Sequence, residues 1–460
     1  MNDELDGAAL ERITAFVQRM VWSLRRRDRE LALTYVLGLL SSGERKSVEP
    51  LMRKLSGKPQ PARERRMRRM LSDGQWSAQS MMERGAEELV RQSAGWTAYA
   101  LDDTAILKRG SHSAGVARQY AGCVGHTALC QSVVTMSIAQ DAASALVRAE
   151  LFLPERWFGP RASARRARAH IPPHLTEHVP KWQMALDFVR SRQASTLPRL
   201  PYLFDAGYGT TTEFRDALTA MGEQYVGGVT FDISVWAEGT TFVALERKPG
   251  AGRPPVRLQA ADGRKPVSVE AIARALPPTA WKVVHWRDGS RGPQRSRFAA
   301  TRVRAARGTS TTGAIHPRDV RAEEWLLIHW SEDAKGPTKA WLSNLGPDAT
   351  LTDLVRLARV RWRIERDHQE CKELLGFDHY EGRTWQGLHH HLALVLLSHQ
   401  ILALERLRAI NDGDPRREPA LFPPVDREAG RDGVCTCRCD HGRDRAPRLL
   451  PVPDVLALET

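Results

Sequence analysis

Cysteine is scarce: six residues in 460, at 123, 130, 371, 435, 437 and 439. They are too few and too unevenly spread for a disulfide framework, which points to a reducing compartment. No apolar run approaches the roughly 18 residues a membrane span requires, and no basic, apolar and small-residue stretch of the secretory type opens the chain. A cytoplasmic location with no membrane partner is therefore expected. Acid is also in deficit. Asp and Glu number 54 against 68 Lys and Arg, a formal net charge of +14, and an excess of that size argues for a polyanionic partner, nucleic acid first. The rest of the composition is ordinary. With 42% hydrophobic and 27% charged residues the chain can bury a sizeable core, and its length divides into two or three folding units.

Residues 1–92 read as a helical, DNA-binding module, with apolar spacing in LALTYVLGLL (31–40) and further helices near 46–56, 62–71 and 77–92. Basic clusters crowd it: Arg25, Arg26, Arg27 and Arg29; Arg45, Lys46, Arg53 and Lys54; and Arg63, Arg65, Arg66, Arg68 and Arg69. A charge run is usually a solvated helix face, but the last cluster has few acids among its arginines and is a candidate for phosphate contact. From Trp96 the pattern turns to short strands, WTAYALDDT (96–104), VARQYAG (116–122) and CQSVVTMSIA (130–139), the first ending in Asp102 and Asp103. A Pro and Arg rich connection and a helix near 174–194 follow. LPYLFDAGYG (200–209) is then an apolar strand ending in Asp205, followed by a helix near 211–221 and a strand at 223–229. Strand, helix and strand in this order predict parallel pairing.

These pieces divide the chain into a first part of an α/β core over 93–230 and a β-rich insertion over 231–320, too long for an ordinary loop. The second part of the core spans 321–385, a C-terminal helix 386–411, and a linker or disordered tail 412–460. One long helix is expected over LTDLVRLARVRWRIERDHQECKELLG. Within it Arg361, Glu365, His368 and Lys372 follow one another by four, three and four residues, so they share a face, while Val360, Ile364, Cys371 and Leu375 form an apolar stripe turned away.

Three acids, on a first strand, a later parallel strand and a helix, are one way to build a two-metal phosphodiester site. Two divalent ions roughly 3.5 to 4 Å apart activate the attacking oxygen and stabilise the leaving one, and hard carboxylate ligands suit Mg²⁺ or Mn²⁺. Carboxylates about 4 Å apart repel by roughly 4 kcal/mol at an effective dielectric of 20, so three together favour a cation. Singly each acid has a bland reading: Asp102 or Asp103 ends a strand, Asp205 caps a helix, and Glu365 pairs with Arg361. Their combined order favours the chemical one.

The segments LDDTAILKRGSHSAGVARQYAGCVG (101–125), LFDAGYGTTTEFRDAL (203–218) and RWRIERDHQECKELLGFDHYEGRTWQGLHHHLAL (361–394) resemble bacterial insertion-sequence transposases of the DDE type, in particular the insertion sequence 701-like group. The resemblance extends over roughly residues 31 to 410. It implies a ribonuclease-H-like mixed sheet with a β-rich insertion, a helical N-terminal domain and a helical C-terminal extension. It also implies two Mg²⁺ ions with Mn²⁺ tolerated, cut-and-paste transposition by strand cleavage and 3′-OH transfer, and a homodimer on double-stranded transposon ends and target. By the same resemblance Asp103, with Asp102 as fallback, is the first metal-binding acid, Asp205 the second and Glu365 the third. Arg361 and Lys372 would contact end phosphates as part of a Tyr, Arg, Glu, Lys signature whose Tyr position is Ala358 here.

Two rival readings keep the fold and change the activity: a DNA-binding regulator or remnant without catalysis, and a ribonuclease-H-like nuclease without strand transfer. Trp236 and Trp385 are candidates to stack on an unpaired base, with core burial the favoured reading. His389, His390 and His391 are consecutive on a helix, about 100° apart, and cannot all bind one ion. Cys435, Cys437 and Cys439 with His441 have zinc-compatible side chains but lack paired CxxC spacing, so incidental thiols in a tail are favoured.

Overall fold

The computed structural model describes residues 7–43, 45–245, 256–289, 292–306, 313–331 and 334–412. The tail cysteines and His441 lie outside the described residues. Five helices come first: α1 (Gly7–Val21), α2 (Arg26–Leu40), α3 (Val48–Ser56), α4 (Pro61–Asp73) and α5 (Ala78–Gln92). Four strands follow, β1 (Ala98–Leu107), β2 (Ala117–Ala121), β3 (His126–Ala139) and β4 (Ser144–Leu151), then α6 (Ser163–Arg168) and α7 (Lys181–Gln193). Next are β5 (Tyr202–Phe204), α8 (Ala206–Gly209), α9 (Thr212–Ala220), β6 (Tyr225–Val229), β7 (Ser234–Ala237), β8 (Phe242–Ala244), β9 (Leu258–Ala260), β10 (Val267–Ser268) and α10 (Val269–Ala275). The chain continues through β11 (Lys282–Gly289), β12 (Gly292–Ala305), β13 (Glu324–Trp330), β14 (Lys339–Ser343), α11 (Leu351–Val360), α12 (Trp362–Glu373) and α13 (Trp385–Asn411).

These elements form two compact units. Of the described residues, one gathers 7–96, Asp102–Pro198 and 363–412; the other comprises those of Thr97–Leu101 and Arg199–Trp362. In the first unit, the second half of β1 lies beside β3, whose other edge pairs antiparallel with β2 over residues 126–130 and with β4 over 133–139. Helix α13 is the hub of this unit. Its sequence is apolar nearly all round, so it is buried along most of its length, against α2, α4, α5 and β4. Helix α4 shows the complementary pattern. Met67, Met70 and Leu71 are buried at helical spacing, which leaves Arg65, Arg66, Arg68 and Arg69 on the exposed side.

In the second unit β1, β5 and β6 are parallel neighbours, as the strand, helix and strand order predicts. Beyond β6 the sheet is antiparallel through β14, β13, β12, β7 and β10, with β11 also on β12. The 231–320 stretch thus adds strands to the large sheet, while β8 and β9 make a separate two-stranded sheet. A mixed α/β architecture with a large mixed sheet and helical N- and C-terminal parts is that of a ribonuclease-H-like fold.

Four local expectations change. Strand β1 does not end at Asp102 and Asp103 but runs on to Leu107. Strand β4 is additional to the expected elements, because SALVRAEL is buried on both faces and lacks strict alternation. Helix α7 begins only at Lys181: a turn follows Pro172, where the Leu175 amide bonds the Pro172 carbonyl, and Pro180 is extended just before the helix. The single long helix from Leu351 is two helices. The first ends at Val360, one residue after Arg359, which is held over the rings of Trp286 and Phe298 at 4.3 and 5.2 Å, and the ladder is interrupted at Arg361.

Candidate active site

Strand β1 enters as a fully buried apolar run, Ala98–Leu101, and then presents Asp102, Asp103 and Thr104. Successive strand side chains point to opposite faces, so the two acids cannot serve the same site equally. Asp103 faces α7. Its Oδ2 accepts from Ser132 Oγ at 2.9 Å and is ion-paired with Lys181 Nζ at 2.6 Å, and the same ammonium lies over the Phe152 ring. Asp102 shares its face with Thr104, and that face is covered by α12: Lys372 Nζ donates to Thr104 Oγ1 at 2.7 Å. Thr135 Oγ1 donates to the Asp102 carbonyl at 3.2 Å and lies 2.7 Å from His368 Nε2. The Asp103 amide donates to Asp102 Oδ1 at 2.8 Å, which fixes the rotamer of the half-buried Asp102 carboxylate.

Glu365 lies on the exposed side of α12. It stands seven residues, about two turns, before Lys372 and so on nearly the same side of the helix. Ile364, Cys371 and Leu375 are buried, as their stripe predicts. His368 is not part of an open polar face but is buried against Thr135. Arg361 lies between α11 and α12 and has α-helical backbone angles.

Asp205 caps α8. Its Oδ1 accepts from the amides of Gly207 at 2.9 Å and Tyr208 at 3.3 Å, which is the helix-cap role. The parallel register pairs Leu101 with Phe204, the residue before Asp205. Among the described residues no group of three or more His, Cys, Asp or Glu side chains is gathered at metal-holding spacing. The donor set itself, carboxylate oxygens, is that of a hard divalent cation.

The arginines of α4 are exposed; Arg68 reaches Glu64 at 3.4 Å, and no ion pair is seen for Arg65, Arg66 or Arg69 among the described residues. Trp236 is buried against Phe242 and is a core residue. Trp385 is half-buried over the His389 ring. The three consecutive histidines have separate structural roles. His389 meets the Leu151 amide, His390 the carbonyls of Leu71 and Trp76, and His391 the Tyr35 hydroxyl and the Gly376 carbonyl. Burial holds the pKa values of His389 and His391 down to about 4.

Sequence reasoning missed a buried polar cluster behind α12, built from Asp367, Glu370, His399 and Arg406. Burial alone would raise the Glu370 carboxyl, but His399 and Arg406 outweigh it and bring its pKa to about 2. A signal was present: two acids three residues apart on the apolar side of a helix, and a His within the apolar run of α13. Lys181, the partner of Asp103, carried no such mark.

The family model described as DDE superfamily endonuclease matches residues 19–293, more than half of the chain, and the chain belongs to that family. DNA is therefore its substrate, and endonuclease or transposase-type chemistry its class; members of this superfamily generally use divalent metal ions. The matched range contains Asp102, Asp103 and Asp205, and Glu365 lies beyond it. No curated protein matches the sequence. No helix among the described residues is long and apolar enough to cross a membrane.

Proposed function

We propose that the chain is an insertion-sequence transposase, of the 701-like group, that cleaves DNA at the ends of its element and joins the freed 3′-OH to target DNA. Asp102, Asp205 and Glu365 are the proposed carboxylates, with Asp102 in place of Asp103. The observation that carries this reading is the α12 contact with β1: Lys372 bonds Thr104, on the face Asp102 shares, while Asp103 is paired with Lys181 on the other.

Bound Mg²⁺ or Mn²⁺ would activate the attacking oxygen and stabilise the leaving one. Three carboxylates repel one another unless cations lie among them, so their gathering is coupled to binding the ions. The protein's own residues do the rest. Lys372 and Arg361 hold backbone phosphates of the element end, and Arg65, Arg66, Arg68 and Arg69 position the duplex without reading its sequence. Hydrolysis forms a bond from water oxygen to phosphorus and breaks the bond to O3′, leaving a 3′-OH and a 5′-phosphate. In transfer that 3′ oxygen attacks a target phosphodiester and displaces its O3′. A homodimer would hold the two ends together.

The test is incubation with Mg²⁺ or Mn²⁺, a donor plasmid carrying the DNA that flanks this gene on both sides, and a target plasmid. Joined products are expected. Cleavage without joining would favour the nuclease reading, binding without cleavage the regulator, and full cleavage by Glu365→Gln would overturn the site assignment.

A further inference from the structure

Helix α12 carries its chemistry on one side and an unusual load of buried charge on the other. At about 100° per residue, Glu365 and Lys372 lie within about 20° of each other, and the mean direction of Asp367 and Glu370 is about 180° from theirs. Asp367 and Glu370 are 1% and 3% exposed. Ser137 Oγ of β3 and Ser144 Oγ of β4 each donate to one oxygen of Asp367, both at 2.5 Å. Glu370 is held by Arg406 of α13 at 2.7 Å and by Arg366 at 3.0 Å. His399 of α13 stands between the two acids, its Nε2 3.7 Å from Asp367 Oδ1 and 3.6 Å from Glu370 Oε2. The Leu146 amide donates to His399 Nδ1 at 3.1 Å, so the ring proton is on Nε2, facing the carboxylates.

An apolar helix face fits its neighbours at several rotations and axial offsets that differ little in energy. Buried charge does not. Each carboxylate here has partners on different elements, and any slip leaves a desolvated charge without them, which is strongly unfavourable. We propose that this cluster is a positioning device: Asp367, Glu370, His399 and the two serines lock the rotation and axial register of α12 and so set where Glu365 and Lys372 stand. The inference rests on the reading of Glu365 as a metal-binding acid.

Mn²⁺ binding by isothermal titration, DNA affinity by anisotropy with a labelled duplex from the flanking sequence, and melting temperature separate the possibilities. The variants are Ser144→Ala, Asp367→Asn and Glu365→Gln in the full chain. Asp367→Asn is expected to weaken Mn²⁺ binding about tenfold or more, the range seen when an outer partner of a ligand is removed. Ser144→Ala, the milder change that keeps the fold, should weaken it severalfold, with duplex affinity within about twofold of the native chain. Where cleavage is measured, kcat should fall and KM for DNA should not. Variants with a lower melting temperature but native Mn²⁺ affinity would overturn the proposal, leaving the cluster as packing only. Native Mn²⁺ binding by Glu365→Gln would instead overturn the site reading, and this inference with it.

Discussion

Asp102 and Asp103 are adjacent in sequence and face different neighbours in the fold. On the proposed reading Asp102→Asn should lower cleavage by about a thousandfold or more, on the scale expected when a group essential to a metal-assisted step is removed. Asp103→Asn breaks a half-exposed ion pair with Lys181, a class of interaction that contributes about 0.2–1 kcal/mol. It should leave Mn²⁺ binding intact and shift stability within that range. Equal losses of Mn²⁺ binding in both variants would return the assignment to a shared role. From sequence alone the dipeptide is expected at a strand end, whereas β1 runs on to Leu107, and only the neighbours on each face distinguish its members. The same holds for Glu365 and Asp367, two residues apart on one helix, one exposed and one buried.

Helix α13 links the helical N-terminal residues to the strands of its own unit through its histidines. Neutral His389 and His391 are built in, since each accepts or donates at both ring nitrogens in an apolar setting. Their folded pKa values, about 4, lie below the unfolded value near 6.5. The contribution is therefore complete above about pH 6.5 and is lost as pH falls from there through 4, because the unfolded chain takes up protons that the folded one does not. Glu370, held near 2, adds loss at lower pH, from its unfolded value downward. A melting temperature that stays flat between pH 7 and 5 would contradict this account. In the other unit, a Cβ on Gly209 at the end of α8 would run into the Gly228 carbonyl oxygen of β6. Backbone cannot yield as a flexible side chain does, so Gly209→Ala should destabilise by about 1–3 kcal/mol in denaturant titration. The motif FDAGYG thus needs its last glycine to seat the helix against the strand.

At the scale of the whole chain, the charge of +14 should appear as a steep salt dependence of duplex binding. Removing Arg65, Arg66 and Arg69 together should reduce the slope of log K against log salt by about 0.9 for each phosphate no longer neutralised, with little change in preference among sequences. An unchanged slope would place those arginines among ordinary solvated residues. Much of this protein was decided by its sequence alone: the basic balance, the helical N-terminal residues, the parallel β5 and β6 and the apolar stripe of α12 follow from local pattern, because periodicity and chain order act over a few residues. The tertiary structure decided which of two neighbouring aspartates faces α12, that the expected long helix breaks at Arg361, and that Asp367, Glu370 and His399 belong to one buried cluster. Those outcomes depend on partners distant in the chain, such as Lys181 for Asp103 and Ser137, Ser144 and Arg406 for the α12 acids, and no local pattern specifies which distant residues will meet.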